Sequence, residues 1–427
     1  VNRIDVLAGG MLTTVQDLGR AGYQRYGVPE SGAMDAWSLR AANRLVGNPD
    51  GAAALEMTFV GPVLRFEESA IAALTGADLG PMLDGHPVAP WRSFTAAPGS
   101  ILTFSGAHDG LRGYLAVAGG IDVPAVLGSR STSVTLALGG LEGRPLRAGD
   151  RVSVGAADPQ AAEPVRRLPR HAIPAWGHTP AVRVVMGPQD DAFTDEGISM
   201  LLGETYTLAL QSDRIGCRFL GPRIAHREAA DIVSDGTVFG SVQVTGDGLP
   251  IVLMADRGTT GGYAKIATVA TADLPRLAQA APGDRVRFSR VSVEEAQALL
   301  RDARRRLDEI GRAELDAGFA AAVYEEDSGA ALVAEAYVDL ADALDGEHHV
   351  PDAARRNAVR AAMPGAVVSV VVRTGDRVKA GQTLMVLEAM KMENPVRAPR
   401  DGRVGRVHVA PGAFVEGGAP LVEIDGD

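Results

Sequence analysis

The chain has a single cysteine, Cys217, so it can form no internal disulfide. A lone cysteine of this kind is expected to be a small buried apolar residue rather than a nucleophile. No apolar run is long enough to cross a bilayer, and with 46% hydrophobic and 22% charged residues a soluble globular chain is expected. Val1 to Gly10 lacks the basic, apolar and small-residue order of a secretory signal, which makes the cytoplasm the expected location. Positive charge is not in excess: the net charge of −11 argues against binding a phosphate backbone, which requires clustered Lys and Arg. The eight histidines show no metal-ligand spacing, and His348 and His349 read as solvated. Gly258 to Lys265 is no phosphate loop, because Ile266 follows the lysine where Ser or Thr is needed. No ATP-binding module is visible, and no Ser-His-Asp arrangement can be argued from separation along the chain.

What is present divides into three unequal parts, in keeping with a length of 427 residues. Residues 1–290 are rich in Gly, Val, Thr and Leu, with short apolar runs broken by turns such as Pro98-Gly99, Gly149-Asp150 and Pro282-Gly283-Asp284. This pattern predicts a mainly β fold of barrels or sandwiches. Residues 291–361 begin with a helix. Ser292 and Glu295 make a capping box, and Ala296, Leu299, Leu300, Ala303, Leu307 and Ile310 repeat at helical spacing beneath an Arg-rich face. From Gly311 to about Asp352 the chain is acidic, with Glu314, Asp316, Glu325, Glu326 and Asp327 among its charges against Arg312 alone. It reads as a linker, either a solvated spacer or one containing docking helices, since Leu315, Phe319 and Val323 keep a helical period.

Residues 362–427 contain an internal repeat. Gly365, Val367, Val370, Val372, Gly375, Val378, Gly381, Leu384 and Leu387 are each matched 37 positions on, from Gly402 to Ile424. Two copies of one strand-turn-strand unit are predicted, with glycines where the chain must turn at positive φ. The copies meet at Glu388-Ala-Met-Lys-Met-Glu393, which places Lys391 at an exposed hairpin tip.

This segment resembles the biotinyl carrier domains of biotin-dependent carboxylases, whose tip reads Ala-Met-Lys-Met, as Ala389, Met390, Lys391 and Met392 do here. The resemblance implies a β-hammerhead with biotin covalently on Lys391 between Met390 and Met392. Lipoyl domains share the fold but usually carry Asp-Lys-Ala at the tip, and lipoylation is the alternative.

Residues 1–290 resemble the allophanate hydrolase subunit 2 group, which includes the C component of 5-oxoprolinase and the second half of the carboxyltransferase region of urea carboxylase. The matching runs are Thr14–Arg20, Gly27–Asp35, Leu115–Ile121, Ser212–Arg218 and Ile251–Ile266. The resemblance implies tandem cyclophilin-like β-barrels and a missing subunit 1 module, hence a separate subunit 1-type partner. A biotin carboxylase to charge the biotin and a biotin protein ligase to attach it are implied as well.

The residues themselves can be weighed against that chemistry. Moving a carboxyl group from biotin to an amide nitrogen needs donors for developing negative charge, a cation for the carboxylate and a base for the substrate proton. In the run Asp256–Lys265, Lys265 or Arg257 can hold carboxylate and Asp256 or Tyr263 can hold or move a proton. Gly261 and Gly262 let backbone N–H groups approach a planar ligand. The alternative is a plain barrel turn in which Asp256 pairs with Arg257. Gln16, Asp17, Arg20, Ser31 and Asp35 are clustered polar residues that fit a substrate-binding loop or a subunit seam, though ordinary turn and cap chemistry uses the same types.

The expected protein is a carboxyltransferase subunit with a fused biotin carrier, acting on a small amide or urea-like substrate, with no nucleic acid or membrane partner. The alternatives are a 5-oxoprolinase-type ATP-dependent hydrolysis subunit and a regulatory or binding module that carries biotin.

Overall fold

The computed structural model describes residues 2–157, 166–310, 358–361, 365–389, 392–415 and 419–425. The acidic stretch expected to be a linker lies outside the described residues, as do Met390 and Lys391. Two compact units are present, Val1–Arg312 and Ala313–Asp427. No helix among the described residues is long and apolar enough to cross a membrane.

The first unit is built from two barrel-like halves, as the turn-broken apolar runs predict. In the first half, a six-stranded sheet that includes Arg3–Ala8, Val63–Phe66 and Ile101–Phe104 accompanies a five-stranded sheet with Asp109–Val117 near its centre. Strand alternation explains the packing: Leu64 and Phe66 are buried while Arg65 between them is exposed. Those two residues share one core with Leu55, Met57, Leu115 and Val117 of the five-stranded sheet.

The second half is a closed barrel of seven strands, in the order Ala181–Met186, Lys265–Val269, Ser241–Val244, Pro250–Leu253, Gly216–Leu220, Thr205–Leu208 and Arg285–Arg290. It closes by a parallel pairing of Ala181–Met186 with Arg285–Arg290. Cys217 sits in this core, where burial pushes its thiol up to about 12. The helix Val293–Leu307 follows, with the predicted box complete: Glu295 N–H donates to Ser292 Oγ at 3.1 Å, and Ser292 N–H donates to Glu295 Oε2 at 2.7 Å.

The halves meet along a buried polar seam. Arg214 is 7% exposed and reaches three acceptors: Glu56, the Gly32 carbonyl at 2.6 Å and Asp256 at 2.8 Å. Tyr114 O–H donates to Glu56 at 2.8 Å and accepts the Asp35 N–H at 2.8 Å. Gln279 then bridges the Asp35 carboxylate at 3.0 Å and the Arg112 carbonyl at 2.9 Å. Each of these polar groups is thereby held by another, which is the condition for burying charge.

The second unit contains two four-stranded sheets over one core. Val367, Leu384 and Leu387 and their repeat mates Val404, Leu421 and Ile424 are all buried in that core. Gly375 and its mate Gly412 have φ of +95° and +84°, the turn conformation that the repeated glycines predict.

Removing the seam's central cation tests the importance of this arrangement. Arg214→Met leaves Glu56 and Asp256 as buried carboxylates without their counter-charge and is expected to cost about 3–5 kcal/mol in a guanidinium unfolding titration. A loss below about 1 kcal/mol, the size of an exposed ion pair, would mean that the seam does not depend on Arg214.

Candidate active site

The predicted residues fall into two groups. The first surrounds Lys265, where the chain leaves the barrel, runs as Thr260–Tyr263 beside Asp231–Gly236 in a two-stranded ribbon, and returns to the barrel at Lys265. Gly261 leaves room there for Gln243, whose Nε2 would stand 2.4 Å from a Cβ and would have to shift. That amide donates to the Tyr263 carbonyl at 3.0 Å. Gly262 has room for a side chain, since a Cβ there would make only ordinary van der Waals contact, its nearest neighbour 3.9 Å away. Tyr263 itself is partly exposed on the ribbon.

Lys265 is buried and fixed at both its backbone and its side chain. Its N–H donates to Gln189 Oε1 at 3.0 Å, and its carbonyl accepts the Gln189 N–H at 3.0 Å. Its ammonium meets Asp235 Oδ2 at 2.8 Å, an oxygen that also accepts from Gln189 Nε2 at 3.0 Å. The Lys265 hydrogen bond, with those of Gly236 and Gln189, holds the Asp235 carboxyl below the usual carboxylate range. The Asp235 side chain is 54% exposed and that of Lys265 only 3%, so the carboxylate covers the ammonium from the solvent side.

The second group lies at the seam. Asp256 does not pair with Arg257: its oxygens take Arg214 Nε at 2.8 Å and Nη2 at 3.3 Å, while Arg257 donates to Glu30 at 2.8 Å. Asp35 caps the helix Ala36–Leu45 by accepting the Ser38 N–H at 2.9 Å. Burial raises its carboxyl above the usual range, an effect opposed by hydrogen bonds from Ser38 and Gln279. No side-chain hydrogen bond or ion pair among the described residues joins this group to Lys265.

Arg20 differs from its neighbours. It is 1% exposed, its Nη2 donates to the Ser131 carbonyl, and its Nε and Nη1 have no protein partner. Burial lowers the guanidinium's pKa, and the fields of Asp17 and Asp256 oppose the shift. Ser31 is also buried, with a free hydroxyl and φ of +55°. The two segments are tied together by Arg20 N–H to the Glu30 carbonyl at 2.8 Å and by Ala33 N–H to the Asp17 carbonyl at 2.9 Å. Gln16 donates to the Thr132 carbonyl at 3.1 Å and keeps a free Oε1. Free donors in a dry site are costly unless a ligand or water meets them. A guanidinium with two such donors is suited to an oxyanion.

The sequence reading missed the segment Ser129–Ser133, which supports this group. Asp17 accepts from Ser129 Oγ at 2.7 Å, Gly19 N–H at 2.8 Å, Arg130 N–H at 2.6 Å and Ser131 Oγ. Left-handed backbone at Leu127, Ala137 and Glu142, none of them glycine, marks the same loop as strained. Its visible signal was the serine alternation between Gly128 and Gly139-Gly140.

In the second unit, Thr383–Ala389 pairs with Met392–Arg397, closing on Ala389 opposite Met392. The two residues between those partners in sequence, Met390 and Lys391, lie outside the described residues.

Residues 26–290 match the family described as carboxyltransferase domain, subdomain A and B, and residues 357–424 match the family described as biotin-requiring enzyme. The C component of the 5-oxoprolinase of Escherichia coli (strain K12) is 39% identical over 72% of this chain and 97% of its own length. A putative urea carboxylase of Emericella nidulans is 34% identical over 68% of this chain and 24% of its own. The crystal structure of the K. lactis urea amidolyase superposes with a TM-score of 0.69 at 33% identity, covering 72% of this chain and 20% of that one.

The two glycines of the ribbon give a local test. Gly261→Ala is expected to push Gln243 off the Tyr263 carbonyl and cost about 1–3 kcal/mol. Gly262→Ala, which meets only ordinary van der Waals contact, should change stability by no more than about 0.5 kcal/mol. Equal losses in urea titrations of the two variants would show that Gln243 does not anchor the ribbon.

Proposed function

The chain belongs to the carboxyltransferase family of subdomains A and B and joins that domain to a biotin carrier, and from this premise we propose that it transfers a carboxyl group to a small amide or urea-like substrate. We place the domain boundaries at residues 290 and 362. The observation that carries the reading is Arg20, a buried cation with two free donors, on a segment tied by backbone hydrogen bonds to the one that bears the buried, free hydroxyl of Ser31.

Biotin, attached to Lys391, supplies a mobile nitrogen on which the carboxyl group travels. The remaining work belongs to the chain's own residues. Arg20 meets the negative charge of the group in transfer, and its value is greatest in the transition state because its charge stands in a buried setting of low dielectric. Ser31 Oγ can pass or hold a proton at the acceptor nitrogen. Lys265 is a second cation for the carboxyl group in transfer, released to it when Asp235 gives way. Asp256 and Arg257 act as positioning residues through Arg214 and Glu30, and Asp35 through Gln279 and the seam. Tyr263 and Gly261-Gly262 shape the ribbon wall, and Gln16 holds the Ser129–Ser133 loop in place.

Such a protein works with partner subunits. We assign these as a subunit 1-type chain and a biotin carboxylase, with a biotin protein ligase for attachment. The near-complete span of the 5-oxoprolinase component favours a second reading, a role in ATP-dependent amide hydrolysis. Blocking biotin separates the two.

With biotin carboxylase, a subunit 1-type partner and an amide substrate added, bicarbonate-dependent ATP turnover is expected and avidin should abolish it. Lys391→Arg should remove streptavidin binding. Arg20→Ala should leave Lys391 biotinylated while slowing transfer by about 100-fold or more, and Lys265→Ala should abolish transfer. Turnover that persists with avidin would reject carboxylation in favour of hydrolysis. Transfer at the parental rate in either barrel variant would remove that residue from the site.

A further inference from the structure

A cavity of about 230 Å³ lies beside the helix Val293–Leu307, and no residue of the candidate site lines it. Its walls include two indoles, Trp37 and Trp176, and three guanidiniums, Arg183, Arg276 and Arg306, against one carboxylate, Asp273. That carboxylate is fully buried and already saturated. It accepts Arg183 Nε at 2.7 Å, Arg183 Nη2 at 2.5 Å and the Arg183 N–H at 2.8 Å, with Arg276 Nε at 3.4 Å. Two positive charges on the wall are therefore not balanced within it.

Arg306 is the least satisfied of the three. Its guanidinium leans on Trp37, 5.9 Å from the ring centroid, and its Nε is buried without a hydrogen-bond partner. That Nε makes a long ion pair of 3.7 Å with Asp302, a half-exposed carboxylate that also serves Arg305. The indole N–H groups are spent on the carbonyls of Ala303 and Gly76, at 2.8 and 3.3 Å, which leaves only apolar ring surface for a ligand.

From this juxtaposition we propose that the cavity binds a small carboxylate with a flat apolar body, its charge met by Arg306 and Arg276 and its body by Trp37 and Trp176. The guanidinium donors of Arg306 and Arg276, held only by long ion pairs, select the anion, and indole faces select a flat or hydrophobic remainder over a bare ion. The volume lies below the about 300–1,000 Å³ of pockets for drug-sized ligands, which limits the occupant to a small molecule. The site is separate from the proposed transfer chemistry and stands whether or not that reading does.

Benzoate is a suitable probe. Titrated into the full-length chain and followed by tryptophan fluorescence and by calorimetry, it is expected to bind saturably, with neutral benzamide and with acetate each binding at least about tenfold more weakly. Arg306→Met, a change on a partly exposed helix face, should weaken benzoate by a similar factor, and Arg276→Met likewise. Trp176→Phe should reduce the fluorescence response while calorimetry still detects binding. Lys265→Ala should bind benzoate as the parent does. No saturable binding, equal affinity for benzamide, or undiminished affinity in Arg306→Met would overturn the proposal.

Discussion

Arg214 is the interaction on which the first unit turns. One buried guanidinium holds a carboxylate from each half, Glu56 and Asp256, and a backbone carbonyl at Gly32. A charge so far from water is tolerable only with its donors engaged. The geometry of the seam is thus prescribed to within a hydrogen bond: if either half slid by an ångström or two, the whole set would lose its partners together. Apolar packing alone would accept many such offsets.

That constraint reaches the candidate site. Gly32 follows Ser31, and Asp256 precedes Arg257 and contributes to the field at Arg20. The same cation that fixes the two halves therefore also fixes the backbone beside the free hydroxyl. Lys265 answers to a different support, Gln189 and Asp235, on the ribbon. The site residues accordingly rest on two frameworks that share a chain but no side-chain hydrogen bond among the described residues.

How much of this was readable from the sequence depended on the range of the interactions involved. The helix Val293–Leu307 was legible because its cap and its stripe are local, within a few residues. The carrier was legible because a repeat announces its own symmetry, and both halves do bury matching positions. The mainly β character of residues 1–290 followed from turn-broken apolar runs, and the closed barrel agrees with it. Side-chain pairing was not legible. Asp256 and Arg257 are adjacent, yet neighbours in an extended or turning chain point apart, and each found a partner elsewhere, Arg214 and Glu30. The Ser129–Ser133 loop was passed over for the same reason: serines are ordinary turn residues until a distant carboxylate, Asp17, collects their hydroxyls.

The way the second barrel closes has a consequence for how it comes to exist. Its opening strand, Ala181–Met186, has neighbours on both sides drawn from the far end of the domain, Lys265–Val269 and Arg285–Arg290. As the chain leaves the ribosome, that strand has no ladder to join until nearly the whole barrel has been synthesised. Contacts so remote in sequence slow folding, and the waiting edge is a template for pairing with other chains. The strand most in need of shielding during synthesis is therefore the one made first.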